Sequence, residues 1–435
     1  MENVNILPAQ EYNQQGKVLF SIEKYDKAIE MYKKAENEDP MFIDTYFNLG
    51  EAYVMIDNYD KAKESFSKVL LIDNKNGITY FHLGNVEFLQ ENNDKGREYY
   101  AKAVNNGYDD AQLYVNLANV AEEAGNNEEA IKNYNKAILR DKFRADAKLK
   151  KALIYINDNK YPEALQTLDN MIEYNPDIFE GHHYKALVNI EIGNYSEAEK
   201  TLVKAQALFP DDDGFVFDKI ILLERQEKYD EALNLINVGY GDSKERNILL
   251  EKAKILLAKE RIDDSANLFE DIKNSEEIFD DETRFYLINI YINTNKIEKA
   301  LTCAQEIMTN AEENSFYFAA IYYNSLCLSK LGKIAEAKVA YEKALKTFRF
   351  ASSANPGMLD LIIYRALCYK ELKDYDKAFE MTNYLIAIDE DMGEAYLIRA
   401  EIYQELNEID KAEADKATAA SKSKVLGMLI NPSSK

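Results

Sequence analysis

Tryptophan is absent from the 435 residues, and histidine and cysteine occur only three times each. So few histidines leave little room for metal or acid–base chemistry. His182 and His183 are sequence neighbours and would face different ways on a helix, and His82 lies far from both. No HExxH, GxxxxGK[ST] or GxSxG motif occurs, which removes the zinc-protease, phosphate-loop and hydrolase-elbow chemistries. Cys303, Cys327 and Cys368 are too widely spaced for a disulfide framework or a CxxC knuckle. They are expected to be buried small hydrophobes in a reducing compartment. Only 7 prolines and 16 glycines leave few long loops. No apolar run approaches the ~18 residues of a membrane span. Met1 to Pro8 contains neither a basic nor an apolar signal region. A soluble cytoplasmic protein with no membrane association is expected. Positive charge is also short. A net charge of −24 argues against nucleic-acid binding, which needs a basic face. It suits solubility and a protein or peptide partner carrying basic segments. No catalytic residue, metal or cofactor is expected, and the oligomeric state is not legible.

What the chain does have is repetition. Tyr25-Asp26-Lys27-Ala28 returns as Tyr59-Asp60-Lys61-Ala62, as Tyr229-Asp230-Glu231-Ala232 and as Tyr375-Asp376-Lys377-Ala378. With the alanine as position 20 of a unit starting at Ala9, that position falls on Ala28, Ala62, Gly96, Ala130, Ala164, Ala198, Ala232, Ala266 and Ala300, each 34 residues apart. It continues at Ala337, Ala378 and Ala412 after spacings of 37, 41 and 34. Position 8 is also small: Gly16, Gly50, Gly84, Ala118, Ala152, Ala186, Ala366 and Ala400. Position 4 carries Tyr12, Tyr46, Tyr80, Tyr114 and Tyr396, and position 24 carries Tyr32, Phe66, Tyr100, Tyr134 and Tyr341. Small residues at 8 and 20 let two helices of one unit approach closely, and the aromatics fill the remaining gaps. Each unit leaves an apolar face that only its neighbour can cover, so the array must stack. Asn58, Asn194 and Asp374 are expected to cap the second helices, and Pro40, Pro176 and Pro210 to end them.

These positions resemble the tetratricopeptide repeat (TPR) family, and the resemblance runs from about Ala9 to Ala420. It implies an all-α, right-handed superhelical solenoid of twelve helix-turn-helix repeats. The expected organisation is a tail over 1–8, repeats one to nine over 9–314, and repeat ten with flanking insertions over 315–358. Repeats eleven and twelve with a cap follow over 359–426, then a tail over 427–435. Position 8 departs from the pattern in repeats seven to nine, as Ile220, Lys254 and Ile288, and position 24 becomes Ile236, Glu270 and Ala304. Such bulk at position 8 should splay the helices and loosen 213–314. Arg349–Met358 reads as a loop.

The resemblance also implies a non-enzymatic scaffold or adaptor that binds an extended peptide of a partner on its first-helix (A) surface. Positions 2, 5, 6 and 9 of each helix A would face that groove. They supply Asn48, Phe81, His82, Asn85, Asn116, Asn119, Lys150, His183, Tyr184, Phe217, Phe285, Tyr286, Asn289, Tyr322 and Tyr323 as candidate peptide-binding residues. Asn can pair with both the amide and the carbonyl of an extended chain, and rings give contact area at low entropic cost. The family's carboxylate clamp matches at Asn85, Asn116 and Lys150 but fails at Phe81 and Asp146, where basic residues are needed. Arg140–Lys151 is a basic island that would either attract an acidic ligand segment or offset neighbouring acidic helices. A peptide-responsive regulatory receptor and the targeting subunit of a separate enzyme are the alternative readings.

Overall fold

A computed structural model describes residues 8–422 except 211, 242, 244, 276–279, 310–313 and 356. Within them lie 24 helices and no strand. They form twelve consecutive pairs, from Pro8–Ser21 with Tyr25–Glu38 to Gly393–Glu405 with Ile409–Lys422. The pairs gather into two compact units, Met1–Asp218 and Lys219–Lys435. In each unit the core is one layer of apolar side chains between successive helices, as a stacked solenoid requires.

The small positions serve as the spacing implied. A Cβ added to Gly16 would lie 2.3 Å from the Tyr32 ring, and one added to Gly50 would lie 2.4 Å from the Phe66 ring. Position 8 of helix A is therefore the socket for the position 24 ring of the second helix (B). Where position 8 is bulky, position 24 shrinks. Ile288 faces the core together with Ala304, and both are fully buried. Ile220 and Ile236 divide the same volume more evenly, and both are buried. At these sites the two positions exchange volume, and both side chains stay buried.

Repeat eight corrects the register read from the sequence. Each turn between helices A and B contains one left-handed residue, at Glu23, Asp57, Glu91 and Asn159 among others. In repeat eight that residue is Glu260, one position early. The buried set shifts with it to Ala253, Ser265 and Phe269. Ser265 Oγ donates to the Ala253 carbonyl at 2.8 Å, so Ser265 takes the place the spacing gave to Ala266. Lys254 and Glu270, read as departures, are simply not in the socket.

Position 4 has a role that spacing alone did not show. Tyr46 Oη donates to the Pro40 carbonyl at 3.0 Å, and Tyr80 Oη to the Asn74 carbonyl at 3.1 Å. His182 Nε2 lies 3.0 Å from the Pro176 carbonyl, and Lys148 Nζ donates to that of Lys142. In each case the side chain reaches six residues back and satisfies a carbonyl in the turn between repeats. An ammonium often covers the tyrosine ring, as Lys68 covers Tyr46 and Lys136 covers Tyr114.

Two other local expectations change. Asn58 and Asp374 cap their helices by accepting from the Lys61 and Lys377 amides, but Asn194 does not. Its side chain instead donates to Asn189 Oδ1 at 3.2 Å. The Arg349–Met358 stretch is not a loop throughout, because helix B of repeat ten runs from Ile334 to Ala354. Phe348 and Ala351 hold the added turns against the core. The three-residue insertion before repeat ten is expected near 313–317; residue 313 lies outside the described residues, and Asn314 caps the next helix through the Tyr317 amide at 2.9 Å.

The socket yields a test. Gly50→Ala is expected to lower stability by about 1–3 kcal/mol in urea unfolding, the usual cost of overpacking. Adding Phe66→Leu should recover part of the loss. A Gly50→Ala chain as stable as the parent would remove this contact as the determinant of helix spacing.

Candidate functional site

The A-helix positions singled out in the sequence do meet one another across repeats. In the first unit Asn48 Nδ2 donates to Asn13 Oδ1 at 2.9 Å, and the Phe47 and His82 rings are 4.8 Å apart. Asn116 Nδ2 donates to Asn85 Oδ1 at 3.1 Å and to Tyr100 Oη at 3.0 Å. Tyr100 Oη itself donates to Asn85 Oδ1. Tyr134 Oη bonds Asn119 Oδ1 at 2.7 Å and Glu122 Oε2 at 2.8 Å. His183 Nδ1 lies 2.8 Å from Asp218 Oδ2, and the Phe179 ring stacks on the imidazole. Tyr184 packs beside the Ala152–Leu168–Val188 cluster, and Phe217 is half-buried.

The second unit repeats the theme with more rings. Tyr323 Oη donates to Asn289 Oδ1 at 3.0 Å, and Asn289 Nδ2 donates to the Phe285 carbonyl at 2.9 Å. Phe285 meets Tyr286, Phe316 and Tyr323 within 6.2 Å. Tyr286 stacks on Phe269 at 5.0 Å. Tyr322 stacks on Tyr364 at 6.0 Å.

Burial sorts these residues into two groups. Phe81 and Tyr322 are interior, since their rings close the repeat core against Tyr100 and Tyr341. They do not offer a ring to a ligand, which corrects the sequence reading. Asn48 and Asn289 are also buried, with their amides paired inside the fold. Half-buried and open to one side are His82, Asn85, Asn116, Asn119, His183, Tyr184, Phe217, Phe285, Tyr286 and Tyr323, and Lys150 is exposed. The basic island is largely spent internally. Arg140 pairs with Asp109, Arg144 with Asp146, and Lys150 lies 3.8 Å from Glu122. Lys148 is fully buried, and burial lowers its pKa.

The electrostatics of the surface follow from burial. The aromatic surround of Phe47, Phe66 and Phe81 desolvates His82 and drives its pKa down from 6.5 to about 4. Burial pushes Tyr323 up to about 12 and raises Asp218. At neutral pH the His82 imidazole is therefore neutral, with donor and acceptor nitrogens rather than a charge. Among the described residues no group of three or more His, Cys, Asp or Glu side chains could hold a metal ion. No helix there is long and apolar enough to cross a membrane.

Family comparison decides what this architecture is. A TPR repeat model matches residues 16–57, and a tetratricopeptide repeat model matches 81–148, 115–181 and 149–213. Another matches 43–76 and 320–348. The chain belongs to the tetratricopeptide repeat family. As a TPR protein it is a protein-interaction scaffold, in a family whose members bind protein or peptide partners and are generally non-catalytic. No curated protein matches the sequence. Solved structures similar to this TPR chain include YrrB, described as a TPR protein with an unusual peptide-binding site. It is 20% identical over 43% of this chain and 97% of its own, with a TM-score of 0.36. Pseudomonas aeruginosa pilF is 16% identical over 48% of this chain and 95% of its own, with a TM-score of 0.39. A TPR protein from Parabacteroides merdae is 20% identical over 56% of this chain and 97% of its own, with a TM-score of 0.40.

Sequence reasoning missed the pairing of position 24 with position 9, seen in Tyr100–Asn85 and Tyr134–Asn119. An asparagine at 9 followed by a tyrosine at 24 of the same repeat was its available signal. In repeat ten position 9 is Leu326, and the buried Tyr341 hydroxyl has no hydrogen-bond partner. Tyr100→Phe is therefore expected to cost about 0.5–1.5 kcal/mol. Tyr341→Phe should be neutral or stabilising, and thermal unfolding of the two variants checks the opposite signs.

The imidazole gives a pH prediction. The folded-state pKa of His82 lies below its unfolded value, so the unfolded chain binds the extra proton first. Its contribution to stability is complete above pH 6.5 and is lost as pH falls towards about 4. The parent should lose more stability than His82→Phe across that window in urea unfolding. An imidazole whose NMR shifts titrate near 6.5 would contradict the desolvated placement.

Proposed function

We propose that this TPR protein is a non-enzymatic scaffold or adaptor that binds an extended peptide segment of a partner along the A-helix surface. The observation that carries the reading is the contact between A-helix positions of successive repeats. Phe47 with His82 and Asn85 with Asn116 in the first unit, and Asn289 with Tyr323 in the second, join successive repeats within each unit into a surface of amides and rings. Because these groups sit on helices and hold one another, little side-chain freedom remains to be lost when a ligand lies down. The ligand side would be formed in the first unit by His82, Asn116, Asn119, Lys150, His183, Tyr184 and Phe217, and in the second by Phe285, Tyr286 and Tyr323. The net charge of −24 favours a segment with basic residues.

Capture from a lysate of the native source tests this. The full chain and the Asn116→Ala/Lys150→Glu/Tyr184→Ala variant would be compared at matched folding, judged by circular dichroism. The variant is expected to retain less than about a tenth of the partner, the loss produced by removing interface anchors worth 1.4 kcal/mol or more in total. Equal recovery of the same partners by both chains would place the binding surface elsewhere.

A further inference from the structure

The helix Ile334–Ala354 is the longest in the chain at 21 residues, among the described residues. Its added turns are firmly held. Phe348 and Ala351 are buried, and Arg349 donates to the Tyr369 hydroxyl. Yet Phe350, between them, is 80% exposed, and Val339 is 66% exposed. These two residues are eleven positions apart, three helical turns, so they share one face about 16 Å long. Lys343 and Lys346 are exposed between them on the same face.

Charge also sets this helix apart. It carries Lys338, Lys343, Lys346 and Arg349 against Glu336 and Glu342, while the neighbouring B helices Ile297–Thr309 and Tyr375–Ile388 each carry more carboxylates than cations. Several exposed lysines nearby have a carboxylate, as in Lys299–Glu270, Lys373–Glu405 and Lys377–Asp374. Lys338, Lys343 and Lys346 have none within 4.0 Å among the described residues. In a chain of net charge −24, a rigid strip ordered apolar, cation, cation, apolar is an unpartnered surface.

We infer that the outer face of Ile334–Ala354 is a second docking surface, distinct from the A-helix groove, for an acidic helical segment of a partner protein. Carboxylates of that segment would meet Lys343 and Lys346, and apolar side chains at its two ends would cover Val339 and Phe350. Charge complementarity at the strip itself selects the partner, because Lys343 and Lys346 lack carboxylates of their own. Recognition here depends on sign and spacing, whereas the A-helix surface offers amides and rings.

The test uses the full chain and a fluorescein-labelled, alanine-based helical peptide with leucines at the Val339–Phe350 spacing and glutamates between them. Binding by anisotropy is expected, weakening as salt is raised, and falling about tenfold or more in Lys343→Glu/Lys346→Glu and in Phe350→Ser. The groove variant Asn116→Ala/Lys150→Glu/Tyr184→Ala should bind this peptide like the parent, so failure here and failure of the groove reading are separable. Several results would overturn the inference. They are no binding, equal binding of the same peptide with lysines in place of glutamates, and loss of binding in the groove variant alone. Retention of the chain by phosphatidylserine vesicles but not by the peptide would assign the strip to a membrane instead and likewise overturn it.

Discussion

The whole chain depends on one close contact, the small residue at position 8 against the side chain at position 24. At Gly16 and Gly50 the opposing ring already occupies the space a methyl group would need. That contact sets how near helix B comes to helix A. It therefore sets the angle at which each unit presents its open face to the next. Because the array is built only from neighbour contacts, an error in one pair is passed along the stack. The volume exchange at Ile288 and Ala304 shows the same constraint met from the other side. At that pair a larger residue on helix A is matched by a smaller one on helix B.

This explains what could be read in advance. The all-α repeat fold was legible because the socket admits few residues, and a small residue at a fixed interval is easily counted. Repeat eight was misread because Ala266 happens to sit beside the true pivot, Ser265. The residue that reveals the shift, Glu260, is an ordinary side chain in a left-handed turn, not a glycine. The end of the helix Ile334–Ala354 was misread for a related reason. Ser352-Ser353-Ala354 has the composition of a loop, but Phe348 and Ala351 find apolar partners and carry the helix through it. Local preference lost to tertiary packing in both places.

The A-helix surface was legible as a set of positions and illegible as a set of free groups. Counting from the repeat start brought Asn85 and Asn116, and Asn289 and Tyr323, into contact. It could not separate a side chain that faces outward from one that turns back on its neighbour. Phe81 and Tyr322 hold groove positions by number, yet they fill the core. Each ring turns inward against a ring on helix B of its own repeat, Tyr100 for Phe81 and Tyr341 for Tyr322, a pairing that no single position records.

That internal pairing bears on how the surface can recognise anything. Asn85 Oδ1 already accepts from both Asn116 and Tyr100, so its acceptor capacity is filled before a ligand arrives. A ligand donor could use it only by displacing a bond that is already made, and the net gain from such an exchange is small. On the proposed reading, the groups that would contribute most are those left open: the neutral His82 imidazole, the half-buried rings of Tyr184 and Phe217 and the exposed end of Lys150 in the first unit, and the rings of Phe285 and Tyr286 in the second. The paired amides serve a different purpose. Within each unit they tie successive repeats together, so that the spacing between the open groups of that unit is set by the helices. In the proposed groove, selectivity would then depend on whether a partner's side chains match that spacing, which the asparagines read as contacts help to hold.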